Sequence, residues 1–157
     1  QPRVVILDEP FSGFDPINVN ILKDEIQKLK EAGSTIIFST HRMESVEELC
    51  DHIALINKAE KILEGPKEEI KESFKDQTYM VEHKGDLPVL DPAFAVLEHK
   101  DLGRQLFSST IRIIGNSNPN DLLSALIDKV EVRNFNEKVP SMNEIFIMKV
   151  KGDTNHG

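Results

Sequence analysis

Two adjacent carboxylates, Asp8 and Glu9, are the first residues whose type and position suggest chemistry. They follow the apolar run VVIL at positions 4–7, whose lack of alternation predicts a strand covered on both faces. Ligands of open α/β sheets lie outside the carboxyl ends of the strands, where paired carboxylates can hold a cation or accept a proton. Taken alone, however, such a dipeptide is more often an acidic turn after a buried strand.

His41 is the second residue that could take part in chemistry. It comes after TIIF at positions 35–38, a second apolar run that predicts a buried strand. A lone histidine after a strand is usually an ordinary polar residue. Its meaning therefore depends on the elements that position it.

The segment between these two runs predicts the element that connects them. Asp15 and Pro16 form a helix start, with the aspartate as N-cap and the proline at the first helical position, and Gly33 is a helix stop. One apolar face is marked by Ile17, Ile21, Leu22, Ile26 and Leu29. A strand, a helix and a strand in this order predict a right-handed parallel crossover, as in an α/β fold.

After the second apolar run, the sequence predicts a short helix at 43–49, a hairpin of strands at 53–56 and 61–64, and a helix at 67–74. From about residue 75 the predicted strands are more loosely defined, which indicates a domain boundary. We therefore assign 1–75 to the α/β part, 76–150 to a small α+β domain of ferredoxin-like character and 151–157 to a disordered tail. The second domain has predicted strands at 78–82, 94–97, 105–114 and 130–135 and a helix at 121–129. The segment SMNE at 141–144 fits a capping box, which predicts a helix over 144–149.

Two stretches carry a family resemblance. VVILDEPFSGFDP and, after the predicted helix, IIFSTHRMESVEELCDHIALI resemble the Walker B, D-loop and H-loop half of an ABC ATPase nucleotide-binding domain, the C-terminal part of a P-loop NTPase core. This resemblance covers roughly residues 1 to 74. The closing VPSMNEIFIMKV resembles the P-S-L-x-E-I-F ending of ATPases that energise ABC-2 type exporters, including the sodium-efflux and drug or antibiotic exporter groups, where it belongs to an accessory C-terminal domain. It is also expected to pack Met142, Ile145 and Phe146 into the core of that domain.

The resemblance implies a role for each matching residue. Asp8 would hold Mg²⁺, largely through water, and Glu9 would be the general base or water-orienting group for attack on the γ-phosphate of ATP. His41 would contact the γ-phosphate. The D-loop residues, which would contribute to the nucleotide sites from the interface of two nucleotide-binding domains, are Ser12, Gly13 and Asp15.

Three motifs of the family are missing from this sequence. It contains no phosphate-binding G-x-x-x-x-G-K-[ST], no glutamine loop and no serine-glycine signature segment. We therefore expect a fragment that is inactive alone. The whole protein would be an ATP-hydrolysing exporter subunit, dimeric through its nucleotide-binding domains and bound to an integral-membrane permease at the cytoplasmic face of the cell membrane.

The composition limits the partners. A formal charge of −8 and a pI near 5.1 argue against nucleic acid and against anionic membrane surfaces. Cys50 is the one cysteine, so it forms no internal disulfide, and it is expected to be a buried small hydrophobe in a reducing cytoplasm. No apolar run reaches the roughly 20 residues that span a bilayer.

Two other functions remain open. One is a soluble ABC ATPase of DNA repair or translation, which the acidic charge and the accessory domain disfavour. The other is a non-enzymatic sensor domain in which Asp8 and Asp15 hold Mg²⁺. Of the other histidines, His52 is expected to be a structural polar residue, and three are expected to be solvated: His83, His99 and His156.

Overall fold

The computed structural model describes residues 2–154, which form two compact units. The first contains the chain up to Lys71 together with the segment from Ser141 onward, and the second is Glu72–Pro140. This division differs from the predicted boundary near residue 75 chiefly in the last helix, which belongs to the first unit.

The parallel pair predicted in the first unit is confirmed. Strands β1 (Val4–Asp8) and β2 (Thr35–Ser39) run parallel and are joined by helix α1 (Pro16–Glu31). Asp15 caps this helix as expected, because its side chain accepts hydrogen bonds from the backbone amides of Ile17 and Asn18. The register places Asp8 beside Ser39 at the carboxyl ends of the two strands.

Only one face of this strand pair is covered in the described residues, which corrects the expectation of two buried faces. On the covered face, α1 and the loop after β1 contribute Val19, Ile26 and Phe11 to a core. On the other face Ile6 and Ile37 are 75% and 54% exposed. Burial therefore alternates along both strands although the sequence does not.

The rest of the first unit follows the predicted elements closely. Helix α2 (Met43–Leu49) leads to the hairpin of β3 (His52–Asn57) and β4 (Glu60–Pro66), and helix α3 (Lys67–Ser73) begins directly after it. Cys50, at the end of α2, is half-buried rather than fully buried, and burial raises the pKa of its thiol.

Helix α5 (Met142–Thr154) confirms the predicted capping box and corrects two other expectations. Ser141 Oγ accepts from the amide of Glu144, whose carboxylate accepts from the amide of Ser141. The helix packs against α2 in the first unit and not in the core of the second domain. Its Met142 and Ile145 side chains are fully buried. It also continues to Thr154, past the start of the predicted disordered tail; residues 155–157, with His156, lie outside the described residues.

The second unit is an antiparallel sheet with one covering helix. Its elements are β5 (Thr78–Lys84), β6 (Phe94–Gly103), β7 (Leu106–Ile113), α4 (Pro119–Ile127) and β8 (Glu131–Glu137). The sheet order β6-β7-β5-β8 is that of a ferredoxin-like domain, although the segment 85–93 between the first two strands is a loop where that fold has a helix. The core includes Tyr79, Val81, Ile111, Leu122 and Leu126.

His83 and His99 are not both solvated, which corrects the prediction. The His83 side chain is fully buried on β5, and its Nε2 lies 2.8 Å from Ser109 Oγ. His99 Nδ1 lies 2.9 Å from the same oxygen, and the two rings stack at 5.9 Å with Phe107 beside them. A polar side chain can be buried when hydrogen bonds replace its contacts with water, as here.

Between residues 2 and 154 we find no helix that combines the length and the apolar character needed to cross a membrane.

Candidate catalytic site

At the carboxyl ends of β1 and β2, polar contacts join Asp8 and Glu9 to Ser39 and to the loop that follows it. The Ser39 hydroxyl donates to Asp8 Oδ1. The Glu9 amide lies 3.1 Å from the backbone oxygen of Ser39 and 3.2 Å from its Oγ. The backbone of Glu9 is left-handed, with φ of 43°, so the chain turns sharply as it leaves β1. This turn directs Glu9 toward the loop that follows β2.

Glu9 and His41 are in direct contact. Glu9 Oε1 accepts from the His41 amide at 3.0 Å and lies 2.8 Å from Nδ1 of its ring. The Thr40 hydroxyl lies 3.3 Å from Glu9 Oε2. Because an ionised carboxylate only accepts hydrogen bonds, this contact requires the proton of His41 to be on Nδ1. The side chains of Glu9 and His41 are 37% and 79% exposed, so the pair is open to a ligand from solvent.

The same contacts keep Glu9 ionised. The hydrogen bond from the His41 side chain is the largest influence and lowers the pKa of the Glu9 carboxyl, and partial burial opposes this effect without reversing it. Thr40 and the His41 amide lower the pKa further. Glu9 is therefore a charged acceptor at neutral pH.

Three residues that the sequence analysis did not assign a role hold the two loops together. Thr40 accepts from the Arg42 amide at 3.1 Å, and Arg42 Nη1 lies 3.4 Å from the backbone oxygen of Phe11. Phe11 is fully buried and meets Phe38 edge to face at 5.8 Å. The signal in the sequence was the polar run from Ser39 to Arg42 directly after the predicted strand.

The residues predicted to form the D-loop lie on an exposed turn after this site. The amide of Ser12 donates to the Glu9 carbonyl at 3.0 Å, and Gly13 adopts φ of 78°, a conformation that glycine tolerates. Both carboxylate oxygens of Asp15 are used in the helix cap: Oδ1 accepts from the amides of Ile17 and Asn18, and Oδ2 accepts from Asn18 Nδ2. The Asn18 amide is the largest influence that lowers the pKa of Asp15. This capping role leaves little reason to pair Asp15 with Asp8 as a metal ligand.

The residues at the strand ends fit Mg²⁺ with a partial ligand set. Within the part of the chain that the structure describes, no three His, Cys, Asp or Glu residues converge on one point as a metal cage would require. Mg²⁺ differs from metals held in such cages, because it keeps several waters and is bound through one or two carboxylates plus substrate phosphates. Asp8 and Ser39 offer a carboxylate and a hydroxyl oxygen of this hard type.

Comparison with known proteins identifies the second half of the chain. Residues 65–150 match the family described as "ATP-binding protein DrrA1-3-like, C-terminal domain". The chain belongs to this family of ABC transporter ATP-binding proteins. The matched region runs from the end of β4, through α3 and the second unit, to most of α5.

Relatives of this chain carry names of the same kind. It is 36% identical over 150 residues to the ABC transporter ATP-binding protein YhaQ of Bacillus subtilis, which covers 96% of this chain and 49% of YhaQ. The Nod factor export ATP-binding protein I of Cupriavidus metallidurans is 30% identical over 149 residues, 94% of this chain and 47% of that protein. A fluoroquinolones export ATP-binding protein of Mycobacterium tuberculosis is 38% identical over 86 residues, 55% of this chain and 29% of that protein. The chain thus spans about half the length of the first two relatives.

Proposed function

We propose that the protein containing this chain is the ATP-binding and ATP-hydrolysing subunit of an ABC exporter, with Glu9 and His41 as its catalytic residues. The observation that carries this proposal is the direct contact of Glu9 with His41 at the carboxyl ends of neighbouring parallel strands. The family and the printed names of the export relatives support it.

Glu9 orients the attacking water. Its ionised carboxylate accepts a hydrogen bond from a water placed at the γ-phosphate, and the contacts from Thr40 and His41 fix the direction of that carboxylate. The same contacts hold the carboxylate where it can orient the water or accept its proton as a general base.

His41 connects the carboxylate to the nucleotide. Its Nδ1 is engaged by Glu9, which leaves Nε2 for the γ-phosphate. A histidine that donates to both Glu9 and a phosphate oxygen must carry a proton on each ring nitrogen. Mg²⁺, held by Asp8 largely through water, supplies positive charge to the phosphates when bound.

The partners follow from the same proposal. The D-loop residues Ser12, Gly13 and Asp15 meet a second nucleotide-binding domain, and an integral-membrane permease converts hydrolysis into transport. The subunit would act at the cytoplasmic face of the cell membrane. The net charge of −8 disfavours nucleic acid as an alternative partner.

Replacing Glu9 by glutamine in the full-length protein tests the proposal. Glu9→Gln keeps the size of the side chain and removes its charge, so ATP turnover should fall by about 10²- to 10⁴-fold while ATP binding persists. Phosphate release and nucleotide titration measure the two quantities. Glu25→Gln, the same change at an exposed position of α1, is the matched control and should leave both unchanged. Turnover of Glu9→Gln close to that of the wild type would refute the assignment.

A further inference from the structure

Helix α2 begins two residues after His41, and its position decides where His41 lies. The helix has only seven residues, Met43–Leu49. Isolated helices shorter than about 12 residues are marginal in water, so neighbouring elements must hold α2 in place. Among the residues of α2, Ser45 and Val46 are buried.

Glu47 contacts two of the helices that lie beside α2. Its Oε1 accepts from the backbone amide of Met142, the first residue of α5, at 2.5 Å. Its Oε2 lies 2.7 Å from Lys71 Nζ on α3, and the side chain of Lys67 donates to its backbone oxygen. One residue of α2 therefore fixes this short helix to α3 and to the start of α5.

The contact with α5 uses a group that the helix itself cannot satisfy. The first amides of an α-helix have no partner within the helix, and the positive end of its dipole favours a carboxylate. The amides of Ser141 and Glu144 each donate to the side chain of the other residue. The amide of Met142 donates to Glu47. Since the Met142 and Ile145 side chains are fully buried, the first turn of α5 is firmly placed.

A surface depression joins the same two regions. Its lining residues include His41 and Arg42 from the proposed catalytic loop, Glu47 from α2, and Ser141 and Asn143 from the start of α5. The proposed catalytic loop and the first turn of α5 therefore line one depression, and Glu47, which accepts from the amide of Met142, lines it as well.

We propose that Glu47 is a positioning residue through which helix α5 controls the placement of His41 against Glu9. This inference rests on the proposed function and adds to it a regulator of the same site, the terminal helix of the chain. With α5 in place, Glu47 holds α2 and the Glu9–His41 contact forms. A partner that pulls α5 away releases Glu47, lets α2 shift and weakens that contact.

Amide hydrogen exchange on this 157-residue chain tests the coupling without any enzymatic activity. In Glu47→Ala, the amides of His41 and Val46 should exchange about tenfold faster or more, because a charge-assisted hydrogen bond and an ion pair are lost. The amide of Ile26, buried in α1, should not change. Unchanged exchange at His41 would overturn the proposal, and so would an equal increase at Ile26, since that would indicate general destabilisation.

Two further variants separate the contacts. Glu48→Ala removes a neighbouring carboxylate whose partner is Lys23 on α1, and it should leave exchange at His41 unchanged. Glu47→Gln keeps an oxygen that can accept from Met142 while it loses the charge opposite Lys71. It should recover most of the protection but not all of it, because the ion pair with Lys71 is lost. If Glu47→Ala does not fold, Glu47→Gln is the test, and exchange at Val46 equal to that of the wild type would then contradict the coupling. Faster exchange at His41 in Glu48→Ala would contradict it as well.

Steady-state kinetics of the full-length protein complete the test. Glu47→Ala should lower kcat by about tenfold with the KM for ATP unchanged, and Glu47→Gln should restore most of kcat. A wild-type protein without ATP turnover refutes the proposed function, whereas the exchange experiment still decides the coupling. Normal kcat in Glu47→Ala, in a protein that does hydrolyse ATP, refutes the coupling alone.

Discussion

At the scale of single residues, the backbone of Glu9 is as informative as its side chain. A glutamate at φ of 43° is in a conformation that costs about 1–2 kcal/mol for a residue with a Cβ. The two contacts of its amide with Ser39 and the contacts of its carboxylate with Thr40 and His41 hold it there. Such strain is common where a side chain must be directed at a ligand, which agrees with the role that we propose for Glu9.

The turn between β3 and β4 shows the same strain without a ligand to explain it. Lys58 and Ala59 have φ of 48° and 64°, the pattern of a type I′ turn, in which both central residues favour glycine, asparagine or aspartate. Alanine tolerates the conformation only at a free-energy cost.

We therefore expect Ala59→Gly to stabilise the first unit by about 0.5–1 kcal/mol. The relief of left-handed strain exceeds the extra freedom that glycine gives the unfolded chain. Urea unfolding measures the effect, as a higher midpoint with an unchanged dependence of the free energy of unfolding on urea concentration. Ala54→Gly, at an exposed position inside β3, is the control and should destabilise by about 0.5–1 kcal/mol. A less stable Ala59→Gly would show that the turn does not have this conformation.

At the scale of elements, the pairing of β5, β7 and β6 produces a directed chain of hydrogen bonds. His83 Nδ1 lies 3.0 Å from the carbonyl oxygen of Gly85, so it must donate. Neutral His83 then accepts at Nε2 from the Ser109 hydroxyl, and Ser109 accepts from His99 Nδ1. Burial is the largest influence that lowers the pKa of His83, and the charge of His99 adds to it, while the Gly85 carbonyl opposes both.

This lowered pKa predicts that the second unit loses stability in mild acid. The unfolded chain takes up a proton at His83 near pH 6.5, whereas the folded chain does so only at lower pH. Stability is therefore complete above about pH 6.5 and falls as the pH drops from there toward the folded pKa. Protonation of His83 also reverses its hydrogen bond with Ser109, because Nε2 then donates instead of accepting.

Tyrosine fluorescence measures this effect in the second unit alone. The protein has one tyrosine and no tryptophan, and Tyr79 lies in the core of the second unit. The urea concentration at the midpoint of unfolding should be lower at pH 5.5 than at pH 7.5 for the wild type. For His83→Gln the two midpoints should lie closer together. His52→Gln, on β3 of the first unit, should keep the wild-type difference. Equal midpoints in the wild type would contradict the prediction.

At the scale of the whole molecule, the proposed site contains Glu9, proposed to orient the water, and Asp8, proposed to hold the metal. The sequence contains no loop of the kind that binds the phosphates. The β- and γ-phosphates are held in such proteins by the amides and lysine of G-x-x-x-x-G-K-[ST], which is absent here. Asp8 and Glu9 would otherwise face an anionic ligand without a cationic loop to attract it.

We accordingly expect this 157-residue chain to bind ATP weakly and to release no phosphate from it. Calorimetric titration with Mg²⁺ and ATP should give no saturation in the micromolar range, whereas the full-length protein should bind. Binding by both at similar affinity would show that the residues of this chain form the phosphate site themselves.

Local sequence was sufficient to predict the β1–α1–β2 unit, whereas the roles given to Asp8, Glu9 and His41 stay a prediction. Unbroken apolar runs, the Asp15 cap and the motif around Asp8, Glu9 and His41 depend on residues close in the chain, and the parallel register then brings the strand ends together. The capping box of α5 was readable for the same reason.

Tertiary structure decided what depends on distant partners. The placement of α5 on α2 joins Glu47 to Met142, residues 95 positions apart, and the burial of His83 requires Ser109 on another strand. A single sequence does not specify such contacts, because an amphipathic helix can bury its apolar face against any apolar surface, and a histidine is as suited to water as to a hydrogen-bonded interior. Which surface and which partner are chosen is settled only when the whole chain packs.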